Sequence, residues 1–119
     1  ILGLNPHCET VDKISEEKTK ILPALNELYG KKINIKGPFS ADTFFLKKNI
    51  DKFDVVIGMY HDQVLTPVKT LFNFDAINIT LGLPFIRVSP DHGPNFNMFG
   101  KNLSDPSSIF CAMKFFNNI

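Results

Sequence analysis

Asp54-Val55-Val56-Ile57-Gly58-Met59-Tyr60-His61-Asp62-Gln63 decides how this chain is read. The first half is short, apolar and rich in β-branched side chains, with charged and turn-forming residues on either side. That pattern predicts a buried strand over 54–59. The second half bunches a histidine, a carboxylate and an amide where the strand ends, at the sheet edge where open α/β folds place ligands. Such a cluster can ligate a metal ion or move a proton. The plainer alternative is a capped strand end whose histidine bonds a neighbouring carbonyl.

The chain's opening repeats the pattern. Ile1-Leu2-Gly3-Leu4 reads as a strand, and Asn5-Pro6 breaks it, so His7 falls in the loop just beyond. Two histidines that each follow a short apolar strand are a more specific signal than either alone. A chain that begins in mid-strand without an initiator Met is expected to be a piece of something longer.

Between these stretches, Ile21, Leu22, Leu25, Leu28 and Tyr29 recur at helical spacing over 15–29. Ser15 is the expected N-cap, Gly30 the stop, and Pro23 predicts a kink or a delayed start. Lys31–Lys36 alternates like a short strand before the Gly37-Pro38 turn. Ser40 is expected to cap a short helix with Asp42 in its first turn, where the helix dipole favours a carboxylate. Beyond His61, Val64–Lys69 predicts a helical turn interrupted by Pro67. Strands are expected over 76–80 and 85–88, a loop over 90–95, and a last helix opened by Asp105-Pro106. That helix is expected to bury Ile109, Phe110, Ala112, Met113 and Phe116. There is no repeat or linker, so the pattern is one α/β unit of alternating strands and helices.

Composition sets the outer limits. The 119 residues are 44% hydrophobic and 21% charged, with a net charge of +1. That balance gives no reason to expect nucleic acid or an acidic membrane surface. No apolar run approaches the ~20 residues of a membrane span. Cys8 and Cys111 do not form a disulfide framework, so reduced thiols and a cytoplasmic location are expected.

His7, His61, Asp42 and Asp62 together offer nitrogen and carboxylate donors, a mixture suited to zinc, manganese, cobalt or magnesium. Lys69 and Arg87 offer fixed positive charge for a phosphate or carboxylate. Taken singly, each has an ordinary alternative: a solvated lysine, an arginine on an edge strand, a capping aspartate.

With these segments in order the chain resembles the C-terminal part of the 4-hydroxythreonine-4-phosphate dehydrogenase family of vitamin B6 (pyridoxal phosphate) biosynthesis. The resemblance rests on Leu2-Gly3-Leu4-Asn5-Pro6-His7, Gly37-Pro38 with Ala41-Asp42-Thr43, Met59-Tyr60-His61-Asp62-Gln63, Asn78 through Arg87, and Asp91-His92-Gly93. It covers essentially the whole chain. It implies an α/β fold of the isocitrate/isopropylmalate dehydrogenase kind, a mixed sheet flanked by helices, with residues 1–119 as the C-terminal part and the N-terminal part absent. It also implies NAD-dependent oxidation of a phosphorylated hydroxythreonine to a 3-oxo acid that loses carbon dioxide. The active site would lie at a homodimer interface and use a divalent metal such as zinc, magnesium or cobalt.

By this resemblance His7 and His61 are two of three metal-binding histidines, and Asp42 and Asp62 are acidic residues of the catalytic centre. Lys69, Asn78 and Arg87 hold substrate, while His92, Gly93 and Asn97 border NAD. The third histidine lies upstream of this chain. Asn97 stands where the family carries an acidic residue, and Pro94-Asn95 replaces its Thr-Ala. The glycine-containing stretch after Asn-Pro-His is shortened to Cys8-Glu9-Thr10. The same motifs would suit a relative acting on another phosphorylated four-carbon acid, such as a phosphothreonate, or an inactive remnant.

Overall fold

The computed structural model describes residues 1–8 and 14–118. The expectation for Cys8-Glu9-Thr10 therefore falls mostly outside the described residues. Two compact units divide the chain, Ile1–Pro67 and Val68–Ile119, rather than the single unit expected.

In the first unit, residues 1–3 form the middle of a small parallel patch. Phe39 N–H donates to Ile1 C=O at 3.0 Å and Gly3 N–H to Phe39 C=O at 2.9 Å, which makes Leu2 and Phe39 parallel bridge partners. On the other side Leu2 N–H donates to Ile57 C=O at 2.9 Å. Leu2 is completely buried at the centre. The strand expected over 54–59 is thus an extended segment held by one neighbour, and it is not buried. Val55 is 73% and Ile57 47% exposed, because among the described residues only residues 1–3 pair with it.

The predicted 15–29 helix is a π-helical turn, Glu17–Ile21, running into α1, Leu22–Gly30. Pro23 is the second residue of α1, directly after the π-helical turn, so the α-helical ladder begins late at the proline, as the sequence implied. Ser15 Oγ accepts the Lys18 N–H at 3.3 Å, the expected cap. Ile21 and Leu25 face the core. The stop differs: Lys32, at φ 62°, is the left-handed residue, not Gly30. The N–H groups of Lys31, Lys32 and Ile33 return to Glu27, Tyr29 and Leu28 carbonyls. Those donors are spent closing the helix, which is why Lys31–Lys36 forms no strand, and contact with the first segment begins at Lys36 C=O, which accepts from the Ile1 amino group at 2.8 Å.

α2, Ala41–Phe44, and α3, Lys47–Ile50, follow. The rings of Phe39, Phe44 and Phe53 meet with centroids 5.4–5.5 Å apart and seat α2 against the patch. α4 runs from His61 to Phe72 without a break, where one turn had been expected. Pro67 removes a single N–H from the ladder, and residues on both sides remain helical.

In the second unit, β1 (Ile77–Thr80) and β2 (Arg87–Pro90) form an antiparallel hairpin, with Ile77 opposite Pro90 and Thr80 opposite Arg87. The second strand begins two residues later than its apolar run suggested. α5, Ser107–Asn117, packs on the hairpin. Asp105 Oδ1 caps it by accepting the Ser107 N–H at 2.8 Å, as its Asp-Pro start predicted. The buried face is Ser108 and Ala112. Ile109, Phe110, Met113 and Phe116 are 43–58% exposed, contrary to expectation; Phe110 and Met113 lie on the side of α5 turned from the buried pair. Cys8 and Cys111 are both unpaired thiols.

Candidate functional site

Parallel pairing in the first unit brings three chain segments to one edge. Residues 1–3, 36–39 and 55–57 all point the same way, so the residues that follow each of them emerge together at their carboxyl ends. From the first comes the Asn5-Pro6-His7 loop, from the second α2 with Asp42, and from the third α4 with His61 and Asp62. This is the edge at which α/β sheets bind ligands.

The His7 loop is stitched down on two sides. The Asp42 N–H donates to Pro6 C=O at 3.3 Å, and Ser40 Oγ donates to His7 C=O at 2.8 Å. Ser40 therefore anchors this loop and leaves its capping role unfilled: no side chain caps α2. On the other side Glu17, only 1% exposed, accepts the Asn5 N–H at 2.7 Å through Oε1. That bond holds the Glu17 carboxyl below the usual carboxylate range. Asn5 Oδ1 accepts the His7 N–H at 2.9 Å and shapes the turn itself.

These bonds put His7 Nε2 3.3 Å from Asp42 Oδ2. Two ligands of one tetrahedral ion, each ~2.1 Å from it, would lie about 3.4 Å apart, so the pair fits a shared cation as well as a direct ion pair. His61 Nδ1 lies 2.7 Å from Asp62 Oδ1. Metal-bound histidines commonly have this carboxylate partner, which orients the ring and leaves Nε2 for the ion. Both pairs are solvent-accessible, with His61 76% and His7 58% exposed. Among the described residues no cluster of three or more His, Cys, Asp or Glu side chains forms a complete metal site. The donors present make up two histidine–carboxylate pairs at one edge.

The second unit carries the residues expected to hold substrate and cofactor. Lys69 Nζ lies 3.6 Å from Asp91 Oδ2 and also donates to the Asp91 carbonyl. Asp91 N–H in turn donates to Ser108 Oγ at 3.1 Å, and Ser108 Oγ donates to Ala76 C=O at 2.7 Å. On the hairpin, Asn78 and Thr80 share a face with their partners Ser89 and Arg87. Arg87 Nη1 donates to Thr80 Oγ1 at 2.8 Å. Asn78 and Arg87 thus stand on one surface, as joint substrate contacts would. Lys69 meets Asp91 just past the opposite end of β2, about 13 Å along the chain from Arg87.

His92 and Gly93 border a cavity of about 300 Å³ with Phe74, Asn95, Met98 and Asp105 in its wall. The His92 ring meets Phe74 edge-on, centroids 6.4 Å apart. Asn97 lies outside that wall, and its N–H donates to Asn95 Oδ1. Sequence reasoning missed Asn95 and Asp105 as wall residues, and it missed Glu17 as an anchor of the His7 loop. It included Gln63 in the central motif without assigning it a task.

A family model described as "Pyridoxal phosphate biosynthetic protein PdxA" matches residues 1–116. A 4-hydroxythreonine-4-phosphate dehydrogenase from a Sulfurihydrogenibium species is 50% identical over 115 residues, which is 96% of this chain and 35% of that protein. The Xanthobacter autotrophicus protein of the same name is 45% identical over 94% of this chain and 32% of its own length. The crystal structure of a 4-hydroxythreonine-4-phosphate dehydrogenase from Burkholderia phymatum superposes with a TM-score of 0.72 at 39% identity. It covers 96% of this chain and 35% of that one. The chain spans about a third of the length of these relatives.

Proposed function

The chain belongs to the PdxA family of pyridoxal phosphate biosynthetic proteins, and from that premise we propose that it is the C-terminal part of a 4-hydroxythreonine-4-phosphate dehydrogenase. The reaction is the NAD-dependent oxidation of 4-phosphohydroxy-L-threonine to a 3-oxo acid that then loses carbon dioxide. In this reading the complete enzyme is a cytoplasmic homodimer that uses a divalent metal ion. What supports the reading is that two histidine–carboxylate pairs, His7–Asp42 and His61–Asp62, each follow one of the hydrogen-bonded segments 1–3 and 55–57.

His7 and His61 would hold the ion, with Asp62 fixing the His61 ring through Nδ1 and Asp42 set against His7. When bound, the ion supplies Lewis-acid polarisation of the substrate's alcohol, and NAD supplies the hydride acceptor. Arg87 presents a planar fork to a carboxylate or phosphate, with Asn78 beside it to take a hydroxyl. Lys69, 3.6 Å from the Asp91 carboxylate, serves the other anionic group. The cavity bounded by His92 and Gly93 would seat the adenosine end of NAD, with Asn95 in its wall.

The test is turnover by the full-length protein, with metal and NAD, on 4-phosphohydroxy-L-threonine and on a phosphothreonate in parallel. Preference for the first is expected; preference for the second reassigns the substrate. His61→Ala is expected to abolish NAD reduction and lower metal content. Metal content that survives the substitution counts against His61 as a ligand.

A further inference from the structure

Gln63 lies in the first turn of α4, next to Asp62, and is only 7% exposed. Its amide lies between two backbone segments rather than in solvent. Nε2 donates to Gly3 C=O at 2.7 Å, and Oε1 accepts the Met59 N–H at 2.7 Å. Just before this point Leu2 N–H still bonds directly to Ile57 C=O, and beyond it the two segments no longer pair directly. A primary amide carries a donor and an acceptor on one planar end, as a peptide group does, and among side chains only Asn and Gln have it. Gln63 thus stands in for the next rung of the ladder.

The two backbones that it joins lead straight to the two histidines. Gly3 precedes His7 by four residues, and Met59 precedes His61 by two. Space for the arrangement depends on two glycines. A Cβ on Gly58 would lie 2.4 Å from Val64 Cγ1 and 3.4 Å from Gln63 Oε1. A Cβ on Gly3 would lie 2.3 Å from Cys8 Sγ and 3.3 Å from Glu17 Oε1. With no side chain at Gly58 the start of α4 closes on the amide, and with none at Gly3 the His7 loop closes back toward Glu17.

We propose that Gln63 is a positioning residue for metal binding: its amide sets the separation of the loops that carry His7 and His61. The inference rests on reading those two histidines as ligands of one ion. Gln63 would act through the two loops and would not touch the ion. Gln63→Glu keeps the acceptor but turns an oxygen toward Gly3 C=O, and Gln63→Met keeps the length and removes both bonds.

The experiment titrates the full-length protein with Co²⁺ alone and follows both affinity and the visible absorption of the bound ion. Each Gln63 variant is expected to weaken Co²⁺ binding 10–100-fold, as losing an outer partner of a metal site does, and to alter the spectrum. Leu25→Val, a core change in α1, is expected to lower the melting temperature and leave Co²⁺ affinity unchanged. If Gln63→Glu does not fold, Gln63→Met carries the test. Folded variants that bind Co²⁺ like wild type, with the same spectrum, overturn the positioning role alone. Wild type that binds no Co²⁺ overturns the metal reading and the positioning role together. An equal loss of affinity in Leu25→Val overturns the positioning role, because stability would then explain it.

Discussion

Glu17 is a carboxylate taken almost wholly out of water and returned a hydrogen bond by the Asn5 backbone. That bond holds its carboxyl below the ordinary value of 4.5, so the folded chain binds this proton less readily than the unfolded one. The stability that follows is fully present above 4.5 and is lost as pH falls through the lower folded value. Glu17→Gln is expected to cost about 2 kcal/mol at pH 7, the scale of a bond to a charged group. Urea unfolding should show the gap between variant and wild type shrinking as pH drops below the carboxylate range; a constant gap contradicts the assignment. Cys8 responds in the opposite direction. Burial raises its thiol first, and the negative charges of Glu17 and Asp42 add to that, against a lowering bond with Gly3. Alkylation of Cys8 by iodoacetamide at pH 8 is expected to run slower in the folded protein than in urea. Equal rates would show that the thiol is unprotected. Neither behaviour was legible in the sequence, because Glu17 and Cys8 acquire their surroundings from residues 3–5 and 40–42.

At the scale of elements, Ser108 shows how little covalent material holds the second unit's geometry. Its buried hydroxyl donates to Ala76 ahead of β1 and accepts from Asp91 just beyond β2, tying both ends of the hairpin to α5. Ser108→Ala leaves those backbone groups without their partner and is expected to cost about 2 kcal/mol. Because Asp91 also holds Lys69, the full-length variant should show a raised KM for phosphorylated substrate with kcat less affected. An unchanged KM would separate Lys69 from the substrate. The sequence marked most elements by type: α1 with its late start, the hairpin strands, α5 with its Asp105 cap. It misplaced their ends where backbone donors had two claims on them. The N–H groups after Gly30 close a helix instead of opening a strand. Pro67 suggested an interruption, yet α4 runs through it, since one missing donor is outweighed by the rungs on either side.

Across the whole chain, large apolar side chains stay exposed in both units: Val55 at 73%, Phe85 at 64%, Phe99 at 75% and Phe110 at 55%. Apolar surface on this scale is ordinarily covered. It agrees with the proposal that this chain works as one part of a longer dimeric enzyme whose curated relatives are about three times its length. No described helix is long and apolar enough to cross a membrane. The isolated 119 residues are expected to bind a hydrophobic dye and to reduce no NAD on 4-phosphohydroxy-L-threonine with metal present. Measurable turnover by the chain alone would mean that two histidines suffice for the metal.

The sequence by itself determined the family, through ordered motifs that span nearly the whole chain, and it marked the side chains whose chemistry suits a metal ion or an anion. Local patterns can do this because residue type and spacing are written along the chain. Only the tertiary structure decided that His7 meets Asp42 and that a glutamine amide joins the segments leading to both histidines. Those are contacts between residues up to 60 positions apart. They arise from parallel pairing of segments whose own sequences say that they are extended but not which neighbour they will find.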